Sequence, residues 1–172
     1  QRRIMGNSWD YYDRLTESYR RYRPFYPNEL FDFTKNIKDL RTEAFVADIG
    51  CGTGQLSRLL IRHGLNVFGV EPNRKMLDAA IEDLGSPHFF PKLGSAEETT
   101  ILNGTVEAIF VGNAFHWFDH DRCRREFKRI AQKDSIVVLA WNLERTDESP
   151  FYTEFKKLWN TYIDKDQNFG GA

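Results

Sequence analysis

The stretch AFVADIGCGTG at residues 44–54 decides the fold class of this chain of 172 residues. Its first six residues are apolar apart from Asp48, which is the composition of a buried strand. Gly50, Gly52 and Gly54 follow, and an apolar pattern with helical spacing begins directly after them. A strand, a glycine turn and a helix in succession predict the first unit of a parallel α/β sheet.

The same alternation continues along the rest of the chain. We expect strands at residues 44–49, 66–70, 88–93, 106–111 and 135–141, with helices at 28–40, 55–63, 73–84, 121–131 and 150–162. The run 135–141 is almost entirely apolar, which predicts a strand buried on both faces. The expected fold class is therefore α/β, a Rossmann-like, doubly wound and mostly parallel sheet with helices on both faces.

The segment before the first strand differs from the rest in composition. Residues 1–26 are aromatic and basic, and Pro24 and Pro27 separate them from the helical pattern that follows. We expect residues 1–40 to form an N-terminal helical cap or lid and residues 41–172 to form the Rossmann-like domain, within one structural domain overall. A chain that opens on Gln rather than Met is also typical of a fragment.

The composition argues against several classes of function. Lys and Arg number 24 against 25 Asp and Glu, so a formal net charge of −1 gives no field that would attract nucleic acid or an anionic membrane. No apolar run approaches the roughly 18 residues of a membrane span. Cys51 and Cys123 have no His or Cys at metal-ligand spacing. We expect a soluble, cytoplasmic protein that holds no metal.

The chemically informative residues follow the strands, at the edge where sheets of this kind bind ligands. Gly50 and Gly52 let the backbone turn sharply and approach a ligand closely. Glu71 follows the second strand 21 residues after Gly50, an offset at which a carboxylate accepts hydrogen bonds from ribose hydroxyls. These residues predict a cofactor that contains a nucleoside.

Asp48 narrows the class of that cofactor. A dinucleotide-binding turn has the spacing G-x-G-x-x-G, whereas this turn is G-x-G-x-G with Asp48 two residues ahead of its first glycine. A carboxylate is unfavourable beside a pyrophosphate and favourable beside an ammonium or sulfonium group. The residues therefore favour a cofactor with a cationic end, and an oxidoreductase with a nucleotide cofactor is the weaker alternative.

With these motifs, the sequence resembles the class I S-adenosylmethionine-dependent methyltransferases, in particular the small-molecule, type 11-like group with an H-W-F-D motif after the fourth strand. The resemblance extends from about residue 10 to 160 through the motifs at 48–54, 71–72, 95–97 and 113–119. It implies S-adenosylmethionine as cofactor, S-adenosylhomocysteine as product and a small molecule as methyl acceptor. Two features depart from the family pattern. The Pro-Gly-Gly turn that usually precedes the fifth strand is missing at residues 131–134, and we expect the closing antiparallel strands to be absent from this chain.

The resemblance also implies roles for individual residues. The glycine loop approaches the methionine part of the cofactor, the acid after the second strand holds the ribose, the Ala96-Glu97 pair reaches the adenine, and the segment after the fourth strand contacts the amino-acid end. The predicted cofactor-binding residues are Asp48, Gly50, Cys51, Gly52, Glu71, Pro72, Ala96, Glu97, Asn113 and Ala114.

The acceptor is less well defined by the sequence. His116 is the candidate catalytic residue, either as a base or to orient the acceptor, and a packing role is its alternative. The candidate acceptor-binding residues are Tyr19, Arg20, Arg23 and Trp117, and the arginines favour an acidic acceptor such as a carboxylate, which needs no base. A cofactor-binding module without activity is the second alternative, because the family's closing strands carry acceptor-binding elements.

Overall fold

The computed structural model describes residues 16–143 and 149–162 of the chain. In this part, the strands are β1 (Phe45–Ile49), β2 (Asn66–Glu71), β3 (Phe89–Leu93), β4 (Val106–Gly112) and β5 (Ala131–Ala140). The helices are α1 (residues 16–22), α2 (Asn28–Ile37), α3 (Gln55–Arg62), α4 (Arg74–Leu84), α5 (His120–Ile130) and α6 (Pro150–Tyr162), with a 3₁₀ turn at Phe115–Trp117.

The strands form a single sheet in the order β3-β2-β1-β4-β5, and all the pairings between neighbouring strands described in it are parallel. The chain winds outward from β1 to β3 and then returns to place β4 on the other side of β1. Strand order therefore reverses between β1 and β4, which is where an open α/β sheet opens a crevice at its carboxyl edge. The Rossmann-like α/β fold class is confirmed.

The sheet is covered on both faces because neighbouring residues of its strands point in opposite directions. Val46 and Phe110 contribute to one buried cluster, into which α2, α3 and α4 pack. Ala47 and Ile109 contribute to a second cluster on the opposite face, which α5 covers through residues that include Ile130. This arrangement leaves the carboxyl edge of the strands as the place for a site.

The connection from β3 to β4 is fixed to α5 by a buried carboxylate. Glu126 accepts hydrogen bonds from the Thr99 backbone nitrogen at 2.8 Å and from its hydroxyl at 2.6 Å. The same carboxylate pairs with the Arg129 guanidinium, which lowers the pKa of Glu126 to about 2. These contacts fix the loop to α5, and the described connection contains no helix.

β5 begins earlier than its apolar run predicts. Ala131 pairs with Val106 and Ile136 pairs with Ala108, so the strand carries extra residues between two nearly adjacent partners. Asp134 lies in this bulge with φ +65°. The expectation that the α5 helix includes Ala131 is therefore wrong, because this residue already belongs to the strand.

The expected burial of β5 on both faces is also wrong. The strand is the outermost one in the described sheet, and the side chain of Val137 is 51% exposed. An apolar run predicts a buried strand only when neighbours cover it. The exposed fraction here follows from the position of β5 in the strand order, not from its composition.

The chain divides into two compact units, Gln1–Asn142 and Leu143–Ala172. The first contains the sheet with α1 to α5, and the second contains α6, whose first turn is capped by a hydrogen bond from the Tyr152 nitrogen to the Ser149 hydroxyl. The predicted division into a cap of residues 1–40 and a domain of residues 41–172 stays a prediction, and residues 1–15 lie outside the described residues. No described helix combines the length and the apolar character that a membrane crossing requires.

Candidate functional site

The glycine loop after β1 is shaped by backbone contacts with the end of β2. The backbone nitrogens of Gly50 and Cys51 both donate to the Val70 carbonyl, at 2.8 and 3.0 Å. Gly50 and Gly52 have φ angles of +72° and +56°. Residues with a Cβ rarely adopt this left-handed region, so the loop conformation depends on glycine.

Gly50 is required for a second reason, which is close approach. A Cβ on this residue would lie 2.7 Å from the Cβ of Ala114 and 3.5 Å from the ring of Phe118. The loop after β1 therefore touches the segment after β4 across the point where strand order reverses. Only bare backbone fits between them.

Glu71, the last residue of β2, brings a buried carboxylate to the loop. Its side chain accepts hydrogen bonds from the Gly52 nitrogen at 3.0 Å and the Asn73 nitrogen at 2.9 Å, one on each oxygen. The residue is only 6% exposed, and this burial raises its pKa while the two hydrogen bonds oppose the rise. Each carboxylate oxygen can accept a second bond, so the group can still bind a ligand.

Asp48 is buried more completely than Glu71, and only one of its two carboxylate oxygens has a hydrogen-bond partner. Its Oδ2 accepts a hydrogen bond from the Ser57 hydroxyl at 2.6 Å, whereas its Oδ1 has no hydrogen-bond partner among the described residues. The residue is 1% exposed, and burial raises its pKa to about 7 although Ser57 works in the opposite direction. An unpaired buried acceptor is costly and points to a missing donor.

These residues surround a cavity of about 130 Å³, here called the main cavity. It is lined by Tyr19, Gly50, Gly52, Glu71, Pro72, Met76, Gly112, Asn113, Ala114, Trp117 and Phe118. All but Met76, Gly112 and Phe118 were predicted from the sequence as cofactor or acceptor residues. The structure therefore brings residues from three strand ends and from α1 to one place.

A smaller space of about 20 Å³, here called the inner compartment, adjoins the main cavity. Tyr19, Gly50 and Gly112 line both spaces. The other residues around the inner compartment are Arg23, Tyr26, Asp48, Cys51, Gln55 and Leu56. It is thus more polar than the main cavity and has Asp48 in its lining.

Residues 16–27, here called the strap, pass over both spaces. Tyr19 lies above the glycine loop, with a ring carbon 3.8 Å from the position of a Cβ on Gly52. The Arg23 guanidinium stacks on the Tyr19 ring at 4.9 Å from its centre. Tyr26 accepts a hydrogen bond from the Asn113 amide at 2.8 Å, which ties the strap to the end of β4.

Arg20 faces away from this site. Its Nε donates to the Asp83 carboxylate at 2.7 Å, a second nitrogen bonds the same carboxylate, and a third lies 3.1 Å from Glu82. These partners belong to the last turn of α4, and Arg20 lines neither the main cavity nor the inner compartment. Its predicted contact with the acceptor stays a prediction, and in this structure it anchors α1.

The Ala96-Glu97 pair also lies outside both spaces. Ala96 is part of the buried cluster beneath the sheet, and the Glu97 carboxylate accepts a hydrogen bond from the Asp119 nitrogen at 2.8 Å. Glu97 therefore positions the start of α5. The contact with adenine that the resemblance implies for this pair stays a prediction.

Asn113 uses its side chain within the fold. Its amide donates to Tyr26, and its oxygen accepts from the Asn142 nitrogen at 3.0 Å. Its backbone has φ +52° and donates to Ala140 at 2.9 Å. What Asn113 offers the main cavity is the surface of this tightly held turn.

His116 lies beside the site on the 3₁₀ turn. It is exposed and lines neither space, but its ring is 5.0 Å from that of Trp117, which does line the main cavity. Partial burial, with Arg23 as a second cause, lowers the pKa of His116. The imidazole is therefore neutral near pH 7 and can accept a proton.

Cys51 lines the inner compartment, but its thiol is a poor nucleophile. Burial raises its pKa well above the usual range, and the carboxylates of Asp48 and Glu71 add to the effect. A thiol is a weak nucleophile compared with a thiolate. Among the described residues, no cluster of three or more His, Cys, Asp or Glu side chains is arranged to hold a metal ion.

Sequence reasoning missed six residues that line the two spaces, and some of them carried a signal; they are Met76, Gly112, Phe118, Tyr26, Gln55 and Leu56. Met76 was assigned only to the apolar face of α4, although it lies in the first turn after Glu71, close to any ligand that Glu71 binds. Gly112 and Phe118 flank residues that were chosen. Tyr26 carried no signal, because its role depends on the folding of the strap onto β4.

Comparison with known proteins supports the family resemblance. Residues 47–139 match a family model described as a methyltransferase domain. Over 125 residues the chain is 36% identical to an uncharacterized methyltransferase of Mycobacterium tuberculosis strain H37Rv, covering 73% of this chain and 49% of that protein. The chain belongs to the class I S-adenosylmethionine-dependent methyltransferases. The chain spans about half the length of the curated relatives it matches.

Solved structures show the same fold for this chain. A protein from Anaeromyxobacter dehalogenans, described provisionally as a type II methyltransferase, superimposes with a TM-score of 0.68 at 26% identity, covering 81% of this chain and 57% of that one. A phosphoethanolamine N-methyltransferase of Haemonchus contortus, solved with S-adenosylhomocysteine, gives a TM-score of 0.59 at 20% identity and covers 80% of this chain and 33% of that one. The second likeness is one of fold.

Proposed function

We propose that this methyltransferase binds S-adenosylmethionine in the main cavity and transfers its methyl group to a small-molecule acceptor. The observation that carries the proposal is the buried Glu71 carboxylate held against the glycine loop by the Gly52 nitrogen. Such a carboxylate, fixed at the end of the second strand, is suited to the two hydroxyls of a ribose.

The residues of the site fit this cofactor. Gly50 and Gly52 line the main cavity without a side chain, so a ligand can lie against the backbone of the loop. Glu71 retains one acceptor position on each oxygen for the ribose. The unpaired Oδ1 of Asp48 favours a ligand that carries a positive charge nearby.

The main task of the chain in this reaction is to orient the cofactor and the acceptor. When bound, S-adenosylmethionine supplies a methyl group already activated by a sulfonium. Glu71 and the glycine loop would hold the cofactor in place, and orientation of the two reactants can lower the barrier by several kcal/mol. Trp117 and Phe118 line the main cavity and would exclude water, with Trp117 at 59% exposure marking the side open to solvent.

His116 is proposed as the base for acceptors that must lose a proton. Its neutral imidazole stands beside Trp117 at the open side of the cavity, so a ring nitrogen could take the proton of a hydroxyl or an ammonium. A carboxylate acceptor would not need this step. The role of His116 therefore depends on the chemical class of the acceptor.

The arginines give less support to an acidic acceptor than the sequence implied. Arg20 is paired with Asp83, and Arg23 lines the inner compartment instead of the solvent side of the main cavity. The proposal is therefore for a small-molecule acceptor that enters past Trp117, and the carboxylate class and the cytoplasmic location stay predictions. A module that binds cofactor without transferring a methyl group remains the alternative to test.

Calorimetric titration tests the cofactor. We expect the wild-type chain to bind S-adenosylhomocysteine and not NADH, and Glu71→Ala to weaken the binding about tenfold or more because hydrogen bonds to the ribose are lost. Glu71→Gln, which keeps one acceptor oxygen, separates this loss from misfolding of the loop. Glu98→Ala removes a nearby exposed carboxylate and serves as the matched control. Binding of NADH alone, or of neither compound, would contradict the proposal.

A second assay tests the transfer. The wild-type chain and His116→Gln are incubated with labelled S-adenosylmethionine and a panel of carboxylates, phenols and amines. Transfer to at least one class is expected, with loss in His116→Gln confined to acceptors that carry a proton. Tight cofactor binding with no transfer to any acceptor would favour the binding module.

A further inference from the structure

The solvent side of α5 carries a concentration of positive charge that the proposed function does not use. The opposite side of the helix is buried, since Cys123, Phe127 and Ile130 belong to the cluster on that face of the sheet. The exposed cationic residues of the helix, here called the basic face, are Arg122, Arg124, Arg125 and Lys128. The formal net charge of the whole chain is −1, so this excess of positive charge is local.

The basic face is not neutralised by the described part of the fold. None of the ion pairs formed within residues 16–143 and 149–162 involves any of its residues. Glu126, in the middle of the helix, is buried and already binds Arg129 and Thr99. Asp121 is the exposed carboxylate of α5 and lies in its first turn. The cations of the basic face therefore outnumber the exposed carboxylates of their own helix.

The stability of α5 does not explain this arrangement. Residues three or four positions apart are neighbours on a helix surface, and like charges at that spacing repel each other. Arg122 and Arg125 are three positions apart, and Arg124 and Lys128 are four apart. Arg122 also lies in the first turn, where the helix dipole disfavours a cation. An anionic partner would replace this repulsion with attraction.

The basic face begins beside the main cavity. Phe118 lines that cavity, and Asp119 follows it and caps α5 by accepting a hydrogen bond from the Arg122 nitrogen at 3.0 Å. The Glu97 carboxylate accepts from the Asp119 nitrogen at 2.8 Å. Along the chain, carboxylates thus stand at the side of the cavity and cations follow them on the helix. The surface therefore changes sign over a short distance.

This change of sign favours one kind of anionic partner. A nucleic acid or an anionic membrane is negative throughout, so Asp119 and Glu97 would repel it on the side of the cavity. The basic face also consists of cationic side chains alone, without the aromatic groups that stack on bases or the apolar groups that enter lipid. A protein surface can match both signs.

We propose that the basic face of α5 is the docking surface for a protein partner with an acidic surface, whose edge carries a basic residue toward Asp119. The inference goes beyond the proposed function, because no residue of the basic face lines the main cavity or the inner compartment. A partner bound there would lie next to Phe118 and the 3₁₀ turn, on the side where the acceptor is proposed to enter. Attraction between the opposite charges would speed its association.

A titration with a defined probe tests this surface. The probe is a fluorescent helical peptide that carries a row of glutamates four residues apart and ends in a lysine. Fluorescence anisotropy at about 0.05 M ionic strength, where exposed charges are weakly screened, measures its binding to three chains. They are wild type, the double variant Arg124→Gln/Lys128→Gln, and the control Lys35→Gln/Arg62→Gln, which removes two exposed cations from α2 and α3. We expect the α5 variant to bind about fivefold more weakly or worse and the control to stay within about twofold of wild type.

Thermal unfolding separates docking from a structural role. The α5 variant should unfold at the wild-type temperature or above it, because the repulsion between Arg124 and Lys128 is removed. A lower unfolding temperature would assign these residues to the fold and overturn the inference. So would a peptide that fails to bind wild type, or equal losses in the two double variants.

Two further probes test the kind of partner. Single-stranded polyuridine RNA and phosphatidylserine vesicles are uniformly negative, and we expect both to bind wild type more weakly than the peptide. Tighter binding of either would overturn the choice of a protein partner. S-adenosylhomocysteine should bind the α5 variant within about twofold of wild type, so failure of this inference is distinct from failure of the proposed function.

Discussion

The glycine loop and the strap face each other across the same cavity but are held by different means. The loop is fixed by backbone groups, since Gly50 and Cys51 donate to Val70. The strap is attached by two of its side chains. Arg20 bonds Asp83 of α4, and Tyr26 bonds Asn113, which directly follows β4. A change in the loop should therefore disturb folding and binding together, whereas a change in the strap should disturb binding with little effect on the sheet.

The largest effect is expected at Gly50. Gly50→Ala would combine a left-handed backbone with an overlap against Ala114, so we expect the free energy of unfolding to fall by about 3 kcal/mol and binding of S-adenosylhomocysteine to be lost. Gly104→Ala is the matched control, because Gly104 also has a positive φ of +59° but open space around it. It should lose about 1 kcal/mol and bind normally. Equal losses in urea denaturation would show that the overlap does not matter.

The next effect is a dependence of binding on pH. Because burial raises the pKa of Asp48 to about 7, the carboxylate is mostly protonated at pH 6 and mostly charged at pH 8. If the charged form binds the ligand ammonium, affinity for S-adenosylhomocysteine should rise about tenfold over this interval. Glu71, Arg23 and Tyr26 face the same region, so Asp48→Asn is needed to assign the effect, and it should remove the dependence.

The same pKa has a consequence for stability with the opposite sign. The unfolded chain releases the Asp48 proton near pH 4, whereas the folded chain keeps it to about pH 7. The contribution of this residue to the free energy of unfolding is therefore greatest below pH 4 and falls as the pH rises from 4 to about 7. Thermal unfolding of wild type and Asp48→Asn across this range measures it, and parallel curves would contradict the assignment.

A smaller effect is expected where the strap is anchored to α4. Arg20→Gln removes the contact with Asp83 and should make S-adenosylhomocysteine dissociate a few times faster, because an ion pair that is partly open to solvent contributes modestly. Arg74→Gln removes an exposed pair with Asp78 within α4 and is the matched control. Stopped-flow dissociation rates decide the point. If both variants release the ligand at the wild-type rate, the strap is held by its other contacts.

The smallest effect is expected at Glu97. Its carboxylate bonds the Asp119 nitrogen outside both spaces, and the amide oxygen of a glutamine can accept the same bond, so Glu97→Gln should change affinity for S-adenosylhomocysteine less than about twofold. Comparing this affinity with that of Glu71→Gln shows which of the two carboxylates contributes to cofactor binding. A tenfold loss in Glu97→Gln would instead support the contact with adenine that the resemblance implies.

Local signals explain which parts of the site could be predicted. Gly50 and Gly52 form a turn with positive φ angles, which favour glycine. Glu71 is the last residue of β2, so its position follows from the end of that strand. Arg20 and Arg23 differ in no comparable way, since both are basic residues of one aromatic segment. Their separate roles depend on which side of α1 meets the loop, and that is a tertiary contact.

β5 shows the same limit for the fold. Its apolar run correctly predicted a strand, but the exposure of Val137 depends on the place of β5 at the outside of the described sheet. Propensity acts within a few residues, whereas burial is decided by neighbours that are distant in the chain. The bulge at Asp134 likewise follows from register with β4.

By itself, the sequence determined the order of strands and helices, the glycine turn and the acid beyond the second strand, because these depend on backbone freedom, apolar periodicity and short spacings. Only the tertiary structure decided that one oxygen of Asp48 lacks a hydrogen-bond partner and that Arg20 pairs with Asp83. It also decided that Arg23 and Tyr26 line the inner compartment. Charge and hydrogen bonding depend on distances of a few ångströms between residues far apart in the chain. The packing of the strap onto the sheet sets those distances.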